Sequence, residues 1–588
     1  MKLKTWHALV LILIVILAAY YPALLSPLNS VDDLRMVNEL LNHGSFSWHD
    51  FIFPTSKSFY RPLVNSTFIL DQLLWNMETP FLHLENLLLH CANALLVFAV
   101  MKHPARLYHL SETKIPLIAA LVFGLHPINT EAVIWIAGRA DLMAGFFILL
   151  TLLCSFNYYQ SGSRYWALGI PLALFAGCLA KETTLLIWPG LLLLGYFSQR
   201  IPRDRSVWQS VTQSSAYFPA FSCLLGVAGY FGMRLMALQK VDLGMKQVAT
   251  VVGATTGAVN TLKSVSANTP VASHKLEHAI TVSGFYLRKM FQPFPLNFGI
   301  IEVPGVYFWL GLLLIFLCLY LISRPSWSGW FYLSAVSLGS IALLVSFGGI
   351  SWTPIAERYM YAPSAMTSAG LVLTGTRLLQ GGKSILPTVL LAIFLIGATV
   401  SIFQRAQVWQ DNVTLFEDTL TKSPQFKMAR YELAMALASR GDKQQSVELL
   451  RDLDLPDFQV ASLNKASVWI NQGEYAQARN YLVKRLDNPG AYRRIILERL
   501  VKVLQIMIDH AETSAEKSAL QDEALGYLDG LWTMTQEPFY LYRLGRMHMM
   551  MGNTEAARLA FVEAYKLFPE GSMYKTPAGK LAESLRSP

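Results

Sequence analysis

Residues 6–34 read WHALVLILIVILAAYYPALLSPLNSVDDL. The apolar run from Trp6 to Leu25 has the length of about twenty residues needed to cross roughly 30 Å of hydrocarbon. A few positions later come two adjacent carboxylates, Asp32 and Asp33. Lys2 and Lys4 precede the run as they would in a signal peptide, but the run is long and lacks a small-residue cleavage site. It therefore reads as a retained first helix. Two acids placed just where a chain leaves the bilayer are the feature around which the remaining sequence is organised.

The apolar run recurs. Segments of this kind fall at roughly 6–25, 82–101, 115–126, 133–157, 165–180, 183–198, 215–237, 306–323, 330–349, 360–376 and 385–403, which is about eleven spans. Over 588 residues the chain is 53% hydrophobic and only 15% charged, well below the roughly 25% charged fraction of soluble domains. After residue 403 the apolar runs stop, and Arg, Glu, Gln and Ala take over. The expected architecture is all-α: a polytopic membrane helical bundle over 1–403 and a soluble helical domain over 404–588.

The formal net charge of +9 does not point to nucleic acid, because much of the surplus falls in short loops, where it sets topology. With the N-terminus in the cytoplasm, the inner loops are Lys102 to Lys114, Arg164, Arg200/Arg203/Arg205, Arg324 and Arg377/Lys383. An odd number of spans puts the C-terminal domain outside. All five cysteines lie in the apolar segments, so no disulfide framework or CxxC metal site is expected.

This topology gathers the polar residues on one face. Asp32, Asp33 and Arg61 fall in the first outer loop, and His83, Glu85, Asn86 and His90 in the outer half of the second span. His126, Glu131, Arg139 and Asp141 surround the next outer turn, followed by Lys181-Glu182, Arg288-Lys289 and Glu357-Arg358. Ionisable groups at membrane depth are costly and normally line a cavity or an ion path. Scattered over both faces they would indicate a transporter; on one face they indicate a site at the outer membrane surface.

Each cluster also has a plain structural reading. Asp32 and Asp33 suit the start of a helix at Leu34. Glu131, Trp135 and Arg139 are spaced to share one helical face, where an internal ion pair is the alternative to a binding site. Lys181-Glu182 and Glu357-Arg358 resemble interfacial residues that reach the headgroups. Arg suits a phosphate by bidentate contact and Lys as a point charge. His83, His90 and His126 fit hydrogen bonding within the bundle better than a metal site, since no HExxH-like pair is present. A divalent metal is left open. No Walker loop, GxGxxG after a strand or GxSxG elbow occurs.

The soluble part has helical periodicity punctuated by turns at Gly441-Asp442, Gly473-Glu474 and Gly552-Asn553. The first two turns are about 32 residues apart, near the 34-residue tetratricopeptide period. Such helix pairs stack into an α-solenoid with a concave surface suited to peptides. A carboxylate pair, several cations and a peptide-binding array fit transfer from an anionic membrane lipid to an extracytoplasmic acceptor, with a carboxylate as base and the cations on a departing phosphate.

Several stretches carry a more specific likeness: Asp32-Asp33; Tyr60-Arg61-Pro62-Leu63; Phe81-Leu82-His83-Leu84-Glu85-Asn86 with His90; HPINTEAVIWIAGRADLM at 126–143; Lys181-Glu182; Tyr286 to Lys289 with Pro295-Leu296-Asn297; Glu357 to Ser364; and Arg405 to Trp409. In these, and in their order, the chain resembles the transmembrane-and-tetratricopeptide-repeat O-mannosyltransferases of the GT-C glycosyltransferase superfamily. The resemblance implies an inverting enzyme with a polyprenyl-phosphate sugar donor. It assigns the general base to Asp32 or Asp33 and the donor phosphate to Arg358, Arg139, Lys181 and Arg61. His83, His90, His126, Glu131, Asp141, Glu182 and Glu357 would support the cavity. The repeats would present a secreted or membrane protein acceptor.

The repeat array is shorter than in the animal members, which suggests a bacterial relative in the inner membrane with a periplasmic C-terminal domain; in a eukaryote that domain would face the endoplasmic reticulum lumen. Ser266-Ala267-Asn268-Thr269-Pro270 stands where the family tends to carry an acidic Asn-Pro motif, which leaves mannose or another hexose open. The rivals are transfer to a lipid-linked glycan or surface polysaccharide, and a non-catalytic membrane-anchored repeat scaffold. Between Asp32 and Asp33, the sequence slightly favours Asp32.

Overall fold

The computed structural model describes residues 4–41, 48–52, 60–201, 215–241, 271–348, 353–379, 385–451, 466–467, 469–470, 472–486, 493–568, 572 and 574–585. Expectations placed on Lys2, Arg203, Arg205, Ser266 to Pro270 and Lys383 lie outside these residues. The described residues contain helices and no strand, apart from one antiparallel bridge between Ile300 and Ile355.

Where they are described, the eleven apolar segments are largely helical, but they differ in length. Six helices among the described residues are long and apolar enough to cross a membrane: Thr5–Leu25, Thr79–Leu107, Ile136–Ser161, Phe218–Ala237, Trp327–Ser346 and Leu386–Val408. Lys114–Gly124 and Pro127–Ile134 form a seventh candidate, bent by 50°. Arg164–Ala180 and Tyr307–Ser323 are apolar but shorter. The segments near 183–198 and 360–376 begin in 3-10 turns that carry the charged dyads Lys181-Glu182 and Glu357-Arg358. The chain is a multi-pass membrane protein whose apolar helices are not all of membrane-spanning length.

The chain divides into two compact units, one of Met1–Val248 and Thr261–Arg440, the other built on Gly441–Pro588. The first therefore extends past the sequence boundary at 403. It takes in helices Asn412–Lys422 and Lys427–Arg440, which pack on each other. Within this unit Arg139–Ser161 packs on Arg164–Ala180, Trp327–Gly339 on Tyr361–Leu378, and Val271–Phe291 on Tyr307–Ser323. The last pair approaches unusually closely. A Cβ on Gly284 would collide with the Tyr307 carbonyl, and one on Gly311 with that of Ile280. Small residues that let backbones meet are how helices associate where water gives no hydrophobic drive.

In the second unit each helix from Tyr475–Leu486 to Lys575–Ser584 packs on its sequence neighbours, as in a helical solenoid. Leu497, Leu504, Leu528, Leu531 and Leu544 are buried between them. The turns read from Gly473 and Gly552 are present, with φ of 82° and 78°, a conformation open to glycine but costly for residues with a Cβ.

Candidate active site

The loop between the first span and helix Asp33–Leu41 is fixed from several sides. The Ser26 carbonyl meets His83 Nε2 at 3.0 Å. Asn29 Oδ1 accepts the Val31 N–H at 2.8 Å, and the Asn29 N–H donates to Asp33 Oδ2 at 3.1 Å. The Ala137 N–H donates to the other Asp33 oxygen, Oδ1, at 3.0 Å. Asp33 is 1% exposed, and burial pushes its carboxyl up to about 7 despite the amides that favour the charged form.

The two acids thus have different situations. The helix begins at Asp33 instead of Leu34, and Asp33 spends both oxygens tying the loop to residues 29 and 137. Asp32 precedes it, is only partly buried, and accepts the Met36 N–H on its backbone carbonyl at 3.1 Å. Among the described residues, no hydrogen bond engages the Asp32 carboxylate.

Residues 131–139 are not the continuous helix that a shared face for Glu131, Trp135 and Arg139 requires. A short helix Thr130–Ile134 stops at Trp135, whose backbone is extended, and a 3-10 turn at Ile136–Gly138 precedes the restart at Arg139. Residues 131, 135 and 139 therefore do not share a helical face. Pro127 sets the entry to this segment, and a Cβ at position 138 would strike the Ala132 carbonyl. The break exposes the Ala137 amide to Asp33 and sends Glu131 and Arg139 to different partners.

Arg139 is fully buried. Its Nε donates to Asn86 Oδ1 at 3.1 Å, Nη1 to Asp71 Oδ2 at 2.5 Å and to Thr67 Oγ1 at 3.3 Å, and Nη2 to the Leu82 carbonyl at 3.3 Å. Glu85 lies 3.1 Å away, and the Phe68 ring packs against the guanidinium. These partners engage all three nitrogens of Arg139 within the bundle.

The remaining charges interdigitate. Arg358 pairs with Glu131 and lies over the rings of Trp135 and Tyr359. Glu131 Oε2 also accepts the N–H groups of Glu357 and Arg358 at 2.9 and 3.1 Å. Glu357 accepts from Lys289 Nζ at 2.6 Å and from the Asn297 N–H at 3.0 Å. Lys181 Nζ donates to Asp141 at 2.5 Å, and Arg61 makes a two-point pair with Glu182 at 2.5 and 3.0 Å. Burial would raise the Glu182 carboxyl, but the Arg61 contacts outweigh it and hold the group at about 2. Burial lowers the Lys181 amine, with the charges of Arg61 and Arg358 acting in the same direction and Asp141 opposing them.

The first loop, the 131–141 break, the 181–182 turn and the 357–358 turn thus form one network. The three histidines do not converge. His90 bridges Tyr361 and the Gly124 carbonyl, and His126 reaches the Met290 carbonyl, so both hold the bundle together; His83 supports the acidic loop. No group of three or more His, Cys, Asp or Glu side chains forms a metal site among the described residues. Sequence reasoning missed Asp71; its signal was a carboxylate inside the apolar stretch FILDQLLW, 68–75.

Next to this network lies an apolar cavity of about 320 Å³ between helices Val271–Phe291, Tyr307–Ser323, Trp327–Gly339 and Tyr361–Leu378, lined by residues such as Leu287, Leu314, Val336 and Met360. Pro363 closes one side of it, and the same residue borders a smaller cavity lined by Asp141, Thr183 and Arg358. The two cavities thus share Pro363 as a wall.

Comparison with known proteins agrees with the resemblance read from the motifs. The chain is 34% identical over 165 residues to the human protein named protein O-mannosyl-transferase TMTC1, covering 26% of this chain and 18% of that one. It is 36% identical over 122 residues to human protein O-mannosyl-transferase TMTC2, covering 20% and 14%. It is 41% identical over 133 residues to Drosophila melanogaster protein O-mannosyl-transferase Tmtc2, covering 21% and 14%. The chain thus spans less than a fifth of the length of these curated relatives. No family model matches it.

Proposed function

We propose that this relative of the protein O-mannosyl-transferases is an integral-membrane glycosyltransferase. It moves mannose or another hexose from a polyprenyl-phosphate donor to hydroxyl groups of extracytoplasmic protein acceptors. The observation that carries the reading is an apolar cavity separated by Pro363 from a smaller one lined by Asp141 and Arg358, members of the network that docks the acidic loop. An isoprenoid chain fits the apolar side and a phosphate the charged one.

Lys181, Arg61 and Arg358 hold the donor phosphate in this reading. Lys181 has three donors, and Asp141 takes one of them among the described residues. Glu131, Asp141, Glu182 and Glu357 keep the cations oriented, and their pairing lowers the cost of burial. Asp32 is the general base and Asp33 its anchor. The acceptor oxygen attacks the anomeric carbon as its proton passes to Asp32. The bond from that carbon to the phosphate oxygen breaks, and the electron pair leaves with the phosphate, whose charge the cations stabilise. No general acid is needed for such a leaving group. The site faces the side of the membrane opposite the N-terminus, and the helical pairs beyond residue 441 act as tetratricopeptide-like repeats that present the acceptor.

The test is purified chain in lipid nanodiscs with undecaprenyl-phosphate mannose and a pool of Ser/Thr peptides, with products weighed by mass spectrometry. The expected product is a peptide carrying one hexose. If the donor is left intact while glycoproteins of cells lacking the chain are unchanged in mass, the assignment is wrong.

A further inference from the structure

The acidic loop is gripped from a part of the chain that the proposed chemistry does not use. Helices Asn412–Lys422 and Lys427–Arg440 follow the last membrane-length helix and belong to the first compact unit. From the second of them, Glu432 Oε2 accepts the Ser30 hydroxyl at 2.7 Å. Asn412 Nδ2 donates to the Leu28 carbonyl at 3.0 Å, and Gln410 Nε2 to the Pro22 carbonyl at 3.3 Å. Two side chains from residues 412–432 therefore hold the loop that ends in Asp32, and Gln410 holds the end of the first span before it.

The same helix pair is tied on another side to the segment 296–299, which meets the 357–358 turn. The Ser423 hydroxyl donates to the Gly299 carbonyl at 2.7 Å and accepts from Asn297 Nδ2 at 2.9 Å. Lys422 Nζ donates to the Leu296 carbonyl at 2.8 Å. Asn297 in turn donates its N–H to Glu357, next to Arg358. One element bridges the base-bearing loop and the cation-bearing turn.

Glu432 itself is anomalous for a helix that only packs against its neighbour. It is buried, as are its chain neighbours Tyr431, Leu433 and Ala434, and an apolar residue there would avoid the cost of removing a carboxyl from water. Burial pushes its carboxyl up to about 7; the Ser30 hydroxyl opposes this and the Asp32 charge adds to it. The Glu432 carboxyl is thus close enough to sense Asp32, and among the described residues Ser30 is its hydrogen-bond partner.

We propose that Glu432 is a positioning residue for sugar transfer: through Ser30 it fixes the loop Leu28–Asp33 so that Asp32 meets the acceptor hydroxyl. The helix pair 412–440 is then a wall of the catalytic site and not the first unit of an acceptor-binding array. This rests on the reading of Asp32 as the base.

The experiment compares Glu432→Ala, Glu432→Gln, Ser30→Ala and Asp32→Asn in the full chain, using the nanodisc transfer assay. Misplacing a base by about 1 Å costs on the order of 100-fold, so Glu432→Ala should lower kcat by roughly 10- to 100-fold. Its donor KM should stay within about twofold, since the cations are untouched. Glu432→Gln keeps an oxygen that accepts the Ser30 hydroxyl, and its kcat should return to within about threefold of wild type. Wild-type kcat in Glu432→Ala overturns the proposal, as does an equal loss in Ala and Gln, which would assign the role to the carboxyl proton. Should Glu432→Ala fail to fold, Ser30→Ala carries the test. It removes one hydroxyl from a partly exposed residue, must lower kcat with donor KM held, and overturns the proposal if it does not. An active Asp32→Asn refutes the base assignment instead, which separates the two failures.

Discussion

Replacing Arg139 by Met separates a structural role from a donor-binding one. The variant removes the only cation in contact with Asp71 among the described residues and leaves that carboxylate at 2% side-chain exposure. Breaking a buried pair from one side costs about 3–5 kcal/mol. Loss of the bonds to Asn86, Thr67 and the Leu82 carbonyl acts in the same direction. Glu85, with 32% side-chain exposure, can reach water and adds little. A second change, Asp71→Leu, removes the stranded charge, and apolar replacement of a whole buried pair is often neutral. The double variant should therefore recover most of the loss. The assay is thermal unfolding in detergent, read beside donor KM in the nanodisc assay. A single variant with an unchanged unfolding midpoint and a donor KM raised more than tenfold would refute this reasoning and return Arg139 to the phosphate site.

Two further outcomes follow from the same geometry. Asp33 has a folded-state value of about 7 against an ordinary 3.8. Its protonation therefore favours the fold at low pH, and this contribution is lost as pH rises through about 7. At 1.36 kcal/mol per unit the difference amounts to about 4 kcal/mol. Asp33→Asn should flatten the fall in unfolding midpoint between about pH 4 and pH 7; an unchanged pH slope would show that Asp33 does not titrate there. Gly284→Leu forces apart the helices that wall the apolar cavity, at a cost of about 1–3 kcal/mol. It should weaken donor binding more than acceptor binding, and an unaltered donor KM would argue against an isoprenoid in that cavity.

Much of this was legible in the sequence because the bilayer imposes a length on apolar runs and makes buried charge expensive. That rule marked Asp32, Asp33, Glu131, Arg139, Lys181-Glu182 and Glu357-Arg358 as members of one network. It could not assign partners. Arg61 is 121 positions from Glu182 and Glu131 is 227 from Arg358, so pairing is decided by tertiary packing. Each dyad splits, sending its acid and its base to different partners. Periodicity misled at 131–139, where the tight approach of Gly138 to Ala132 breaks the helix. Composition placed the domain boundary at the last apolar residue, yet Asn412, Ser423 and Glu432 bind back into the first unit through polar contacts that leave no hydropathy signal.

The central claim is that Asp32 receives the acceptor proton while Asp33 holds the loop. Transfer of mannose by Asp32→Asn, measured by intact mass in the nanodisc assay beside thermal unfolding, tests it most directly. The unfolding midpoint should stay within experimental scatter of wild type while kcat falls by at least about 100-fold, the scale of a lost general base. A stable Asp32→Asn that transfers at the wild-type rate would contradict it.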